Sequence, residues 1–97
     1  MIVAMLHCII ELEGVSSLKE KRRVVNSLKQ RLRSKFYLSA AEVDLQNSLT
    51  FMELGVACVT NSRSHGEGVM QKVILFLEDA APGRIHHIQT HVEEYGS

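Results

Sequence analysis

Residues 2–12, IVAMLHCIIEL, constrain the fold more than any other stretch of the chain. Read as an extended strand, they alternate between two faces. Ile2, Ala4, Leu6, Cys8 and Ile10 make one wholly apolar face, and Val3, Met5, His7, Ile9 and Glu11 make the other. A strand apolar on both faces belongs in the middle of a sheet, where neither side meets much water. Phe51 to Thr60 reads as a third strand, with Met52, Leu54, Val56 and Cys58 sharing one apolar face. The chain must supply strands to flank these two and helices to cover the sheet.

The remaining segments do so. Gly14 ends the first strand, and Ser17-Leu18-Lys19-Glu20 fits an S-x-x-E capping box, in which the serine satisfies a free N–H and the glutamate reaches back. Leu18, Val25, Leu28 and Leu32 then recur as a helical stripe, widened by Val24, with Lys21 inside it in the first turn, where its head is expected to snorkel to water. A second strand is predicted over Tyr37–Asp44, and the polar stretch Gln46–Thr50 forms a turn. Ser64-His65-Gly66-Glu67 reads as a second capping box opening a second helix, with Val69, Met70, Val73, Phe76, Leu77 and Ala80 on one side and Leu75 on the other. Pro82-Gly83 stops that helix. Residues 84–94 form a last, more polar strand, expected at an edge.

The order is βαββαβ. With right-handed crossovers, this gives an α+β ferredoxin-like sandwich: a four-stranded antiparallel sheet in order 4-1-3-2 with both helices on one face. The two most apolar strands fall in its centre. At 97 residues, 45% apolar, the chain suits a single domain over 1–97. No apolar run approaches the roughly 20 residues of a membrane span, and the N-terminus lacks the marks of a signal peptide. Cys8 and Cys58 lie inside strands without metal-type spacing and are expected as buried free thiols. These features predict a cytoplasmic protein without membrane attachment.

Charge is segregated. Residues 17–35, SLKEKRRVVNSLKQRLRSK, hold eight of the eleven Lys and Arg residues and a single acid, Glu20, for a formal +7. The remainder carries three bases and ten acids, for −7. Arg22, Asn26, Lys29 and Arg33, spaced 4, 3 and 4, form a stripe beside the apolar face, with Lys19 and Arg23 next to them. A solvated helix face is the bland explanation. Yet bases crowd the N-terminal half, where the helix dipole disfavours them, and the i, i+4 glutamates of a structural helix are missing. This points to a surface for phosphate-rich partners such as RNA, through Lys19, Arg22, Arg23, Asn26, Lys29 and Arg33.

Other chemistry finds little support. Sheet-type RNA binding stacks bases on aromatic residues, but the open positions hold Val3, Met5, His7, Gly55, Ala57 and Val59. His7, His87 and His91 are placed on that open face, but His87 and His91 are roughly 13 Å apart along a strand, too far to share an ion. No metal and no cofactor are therefore predicted. Glu42 and Asp44 read as a solvated edge. Ser62 and Ser64 serve caps, and there is no glycine-rich phosphate cradle, so no enzyme is predicted. The aliphatic open face, through Val3, Met5, Ile9, Ala57 and Val59, offers a second kind of function, a homo-oligomeric interaction surface.

GVSSLKEKRRVVNSLKQRLRSKF from Gly14 to Phe36, AEVD at Ala41–Asp44, LGVA at Leu54–Ala57, and Asn61 closely resemble the YlxP-like family of small bacterial proteins of unknown function. The resemblance implies a ferredoxin-like sandwich. Such proteins are often encoded among translation and ribosome-maturation genes, which implies a ribosomal particle or RNA as partner. It implies no catalytic residues. After AEVD the family tends to carry an Asp, a Trp and a Gln-Arg pair; Asn47, Leu49, Thr50 and Phe51 stand in that region here.

Overall fold

The computed structural model describes residues 1–96; position 97, the end of the expected domain, lies outside the described residues. Six elements follow in the order β1 (Ile2–Glu11), α1 (Leu18–Phe36), β2 (Ser39–Asp44), β3 (Phe51–Thr60), α2 (Arg63–Ala80) and β4 (Ile85–Glu94). The sheet order is β2-β3-β1-β4, with every neighbouring pair antiparallel. This is the ferredoxin-like arrangement that the βαββαβ pattern predicts, with β1 and β3 at its centre.

One side of the sheet is the core. Ala4, Leu6, Cys8 and Ile10 of β1 and Met52, Leu54 and Val56 of β3 are buried against Val25, Leu28 and Leu32 of α1 and Met70, Val73 and Leu77 of α2. Period 2 in the strands meets period 3.6 in the helices, so one apolar layer is shared. Gly66 lets α2 approach β1 closely: a Cβ there would lie 3.0 Å from that of Ala4.

Several boundaries differ from the sequence reading. The strand expected from Tyr37 begins at Ser39, because Tyr37 is the C-cap of α1 in the left-handed region (φ 51°). Ser62, not Ser64, caps α2: its Oγ accepts from the His65 N–H at 3.2 Å. The S-x-x-E pattern at 64–67 thus lies within the first turns of the helix. α2 ends on Ala81 in extended conformation, without a glycine cap. Gly83 serves a different need, since a Cβ there would collide with the Glu11 carbonyl oxygen.

β4 contains a bulge. The register steps from His7↔Gln89 to Ile9↔His86, and His87 takes φ 53°. The extra residue reverses the alternation, so His86 rather than His87 is paired on the open-face row beside Ile9. Leu18 is more than one-third exposed, and the residue buried in the α1 stripe at its place is Lys21. The stripe runs 21, 25, 28, 32, and Lys29 at its margin is half-buried instead of fully exposed. Cys8 is buried as expected, whereas Cys58 is only half-buried.

Candidate functional site

The outer face of α1 gathers the basic segment. Ser17 Oγ accepts from the Glu20 N–H at 3.1 Å, the expected cap. The Glu20 carboxylate, however, turns back to Ser16, accepting from its N–H at 3.0 Å and its hydroxyl at 3.2 Å. The Ser16 N–H first, then its hydroxyl, hold the Glu20 carboxyl below its ordinary range, with Arg23 adding to the effect. The single acid of the segment is thereby committed to starting the helix.

Lys19, Arg22, Arg23, Asn26 and Arg33 are exposed on this face, with Lys29 half-buried at its edge. Among the described residues the ion pairs are Lys21–Glu42 and His86–Glu11, and neither involves this group. Arg33 is not wholly free: its Nη2 donates to the Ala40 carbonyl at 2.6 Å, which fixes the guanidinium beside β2. The positive charge projects outward, because the acids of the remainder do not reach it.

Lys21 departs from expectation most. It is 1% exposed. Its ammonium donates to the Leu45 and Phe51 carbonyls and lies 2.9 Å from Glu42 Oε2. Glu42 therefore does not form a solvated edge. Its Oε2 is buried without a hydrogen-bond partner, and the ion pair with Lys21 is what compensates it. The turn after β2 is organised around this contact. Asp44 Oδ1 accepts from the Leu45 N–H, and Ser48 Oγ accepts from the N–H groups of Thr50 and Phe51. Asn47 and Thr50, at the positions where the family pattern changes, are exposed there.

Tyr37, expected in a strand, is 91% exposed at the C-terminal end of the basic helix. Its local signal is its position directly after an unbroken helical stripe, where a left-handed cap is common.

On the open sheet face, Val59 is 67% exposed, and Val3, Met5, Ile9 and Ala57 are half-buried. A trough of about 880 Å³ lies over Ala41, Gly55 and Ala57. Toward β4 the face is polar: His7 Nε2 lies 2.7 Å from Gln89 Oε1, and His86 Nε2 lies 3.2 Å from Glu11 Oε1. Among the described residues no three His, Cys, Asp or Glu side chains converge as a metal site, and no helix is long and apolar enough to cross a membrane.

The fold and these two surfaces define a small ferredoxin-like α+β protein with one cationic helical face. The family model described as "Protein of unknown function (DUF503)" matches residues 3–90, and the chain belongs to that family. Uncharacterized protein YlxP of Bacillus subtilis (strain 168) is 37% identical over 71 residues, which cover 73% of this chain and 75% of that protein. The YlxP-like resemblance read from the motifs is thus shown. Among solved structures, a candidate antibiotic biosynthesis monooxygenase from Deinococcus radiodurans aligns with a TM-score of 0.46 at 14% identity, over 100% of this chain and 94% of that one.

Proposed function

We propose that the protein is a non-enzymatic, cytoplasmic RNA-binding protein that contacts RNA or a ribosomal particle through α1. One observation carries this reading. Lys19, Arg22, Arg23, Lys29 and Arg33 share one helix flank with no carboxylate partner among the described residues, while Glu20 is occupied at the cap. Such a surface suits backbone phosphates, whose neutralisation releases counterions. The test is a titration of ribosomal RNA against the protein across a salt series. Affinity is expected to fall steeply with salt. Replacing Arg22, Lys29 and Arg33 together by Gln is expected to weaken binding and flatten the slope by about 0.7–0.9 for each phosphate left unneutralised. A triple variant that binds as the parent does would overturn the assignment of this flank as the contact.

A second surface favours self-association. The half-exposed aliphatic side chains Val3, Met5 and Ala57 continue into the exposed Val59, with Ile9 beyond His7 on the same face, and an apolar patch of this kind favours an interface. We propose that this face pairs with a second copy of the chain. Light scattering is expected to give a dimer or larger species. A monomer at high micromolar concentration would overturn this proposal.

A further inference from the structure

Ser27, Gln30, Arg31, Ser34 and Lys35 are spaced i, i+3, i+4, i+7 and i+8 on α1. In an amphipathic helix that spacing marks the stripe that packs on a neighbour. Here all five residues are polar and exposed, and with Phe76 of α2 they line an open groove of about 590 Å³ along the side of α1 next to α2. Phe76 is fixed by an edge-on contact with Phe36, ring centroids 5.7 Å apart at 78°. Over the Phe76 ring lie the Arg31 guanidinium carbon, 5.1 Å from its centroid, and Lys35 Nζ, 5.2 Å from it.

Two like charges are thus held on one ring. Neither has a carboxylate at ion-pair distance among the described residues. A helix face that is merely solvated would interleave acids with its bases at i, i+4. This one instead converges two cations, two hydroxyls and an amide. We infer that the seam is a second phosphate-binding site. Arg31 and Lys35 take a backbone phosphate of RNA by charge, and Ser27, Gln30 and Ser34 supply hydrogen-bond donors beside it. The inference rests on the RNA reading above and extends that surface from one flank of α1 to the other. Stacking on Phe76 restricts both long side chains before the ligand arrives, so less freedom is lost on binding. The ring face is already covered by cations, so no base stacks on it. The seam reads charge and not sequence.

The test measures fluorescence anisotropy of labelled 16-nucleotide oligo-U and oligo-A with the full chain, from low to moderate salt. Arg31→Gln/Lys35→Gln is expected to lower affinity by about tenfold and to flatten the log–log salt slope by about 0.7–0.9 for each phosphate left unneutralised. Phe76→Leu keeps both charges but removes their anchor, and a loss of about threefold is expected from the greater ordering cost. Thermal melts accompany each variant so that only folded protein is compared. Oligo-U and oligo-A are expected to bind within about twofold of each other, because phosphate contacts carry no sequence information. If the double variant binds as the parent does while the Arg22, Lys29 and Arg33 triple variant loses affinity, the seam is not a site and the α1 reading stands. If the double variant fails and the triple does not, the seam stands and the stripe falls. Unchanged binding in both, or no binding by the parent, overturns both.

Discussion

The Lys21 ammonium and the Glu42 carboxylate meet at 2.9 Å where the basic helix enters the core, and this pair fastens α1 to the β2–β3 hairpin. Lys21 is the one base of the segment turned inward. It occupies a core position in the stripe 21, 25, 28, 32 and also satisfies the Leu45 and Phe51 carbonyls. Its burial orients the rest of the helix. With Lys21, Val25, Leu28 and Leu32 facing the sheet, the other bases are placed on the outer side or its margins.

Removing one partner of a buried pair leaves an uncompensated charge. Lys21→Met is therefore expected to destabilise the protein by about 3–5 kcal/mol, since Glu42 and two carbonyls lose their donor. Adding Glu42→Leu is expected to recover part of that loss, because no buried carboxylate remains. Urea unfolding of the single and double variants checks this. A single variant with parental stability would show the pair to be dispensable.

Gly83 makes a second long-range fit. Its missing Cβ is what admits the Glu11 carbonyl at the start of β4. Because Glu11 donates from its own N–H to the Arg84 carbonyl at 2.8 Å, the two segments cannot easily separate. Gly83→Ala is expected to cost about 2 kcal/mol or more, a packing and strain effect among backbone atoms. A lowered melting temperature with unchanged secondary structure is the expected readout.

Much of this architecture is legible in the sequence because the pattern and the topology agree: β1 and β3 are the two most apolar strands and lie in the centre. Lys21 escapes such a reading for a physical reason. Its partner is in a different element, and a lysine in an apolar stripe looks like a snorkelling one until that partner is placed. Glu42 escapes it for the same reason. The cap of α2 is displaced because Ser62 and Ser64 both precede plausible first turns, and only the turn after Thr60, where the Ser62 N–H donates to Thr60 Oγ1, selects between them. The bulge at His87 has no local signature, so the row of β4 side chains shifts. Of the candidate interface, the basic stripe is visible from spacing alone. The seam at Phe76 is not, because it needs α2 beside α1.

Cys8 gives the chain a predictable alkaline response. Burial pushes its thiol up to about 11, and the Glu53 charge adds to the effect. The folded state then keeps a proton that the unfolded chain gives up near pH 9. Folded protein binds more protons in that window, so stability is complete below about pH 9 and falls as pH rises toward 11, by at most about 1.4 kcal/mol per unit. Urea midpoints at pH 7, 9, 10 and 11 measure it. Cys8→Ala, which lacks the thiol, is expected to show a flatter decline over that window. Identical pH profiles for parent and variant would count against the assignment. In the native protein at pH 8, Cys8 is also expected to resist thiol reagents that label it at once in urea, because it is protonated and buried.

Tyr37 couples backbone strain to exposure. It carries a β-carbon at φ 51° and ψ 50°, conditions that favour glycine, while its N–H closes the helix by donating to the Arg33 carbonyl at 3.0 Å. Its ring, 91% exposed, contributes little to the core. Tyr37→Gly is therefore expected to raise stability by about 0.5–1 kcal/mol, since the left-handed cap is free for glycine and costs a side-chain-bearing residue about that much. Glycine also gains entropy in the unfolded chain, which opposes the effect, so Tyr37→Asn, which tolerates the same conformation with less unfolded freedom, provides the cleaner comparison. Chemical denaturation of the two variants beside the parent decides it: stabilisation in both shows that the strain is relieved and that the ring was not holding the fold. Destabilisation in both would mean that the ring packs where the fold needs it. The same variants bear on binding, since an exposed aromatic ring at the end of a cationic helix is, on the proposed RNA reading, placed to stack on a base. If it does so, both substitutions weaken oligo-U binding by about fivefold or more and leave the salt slope unchanged, because stacking neutralises no phosphate.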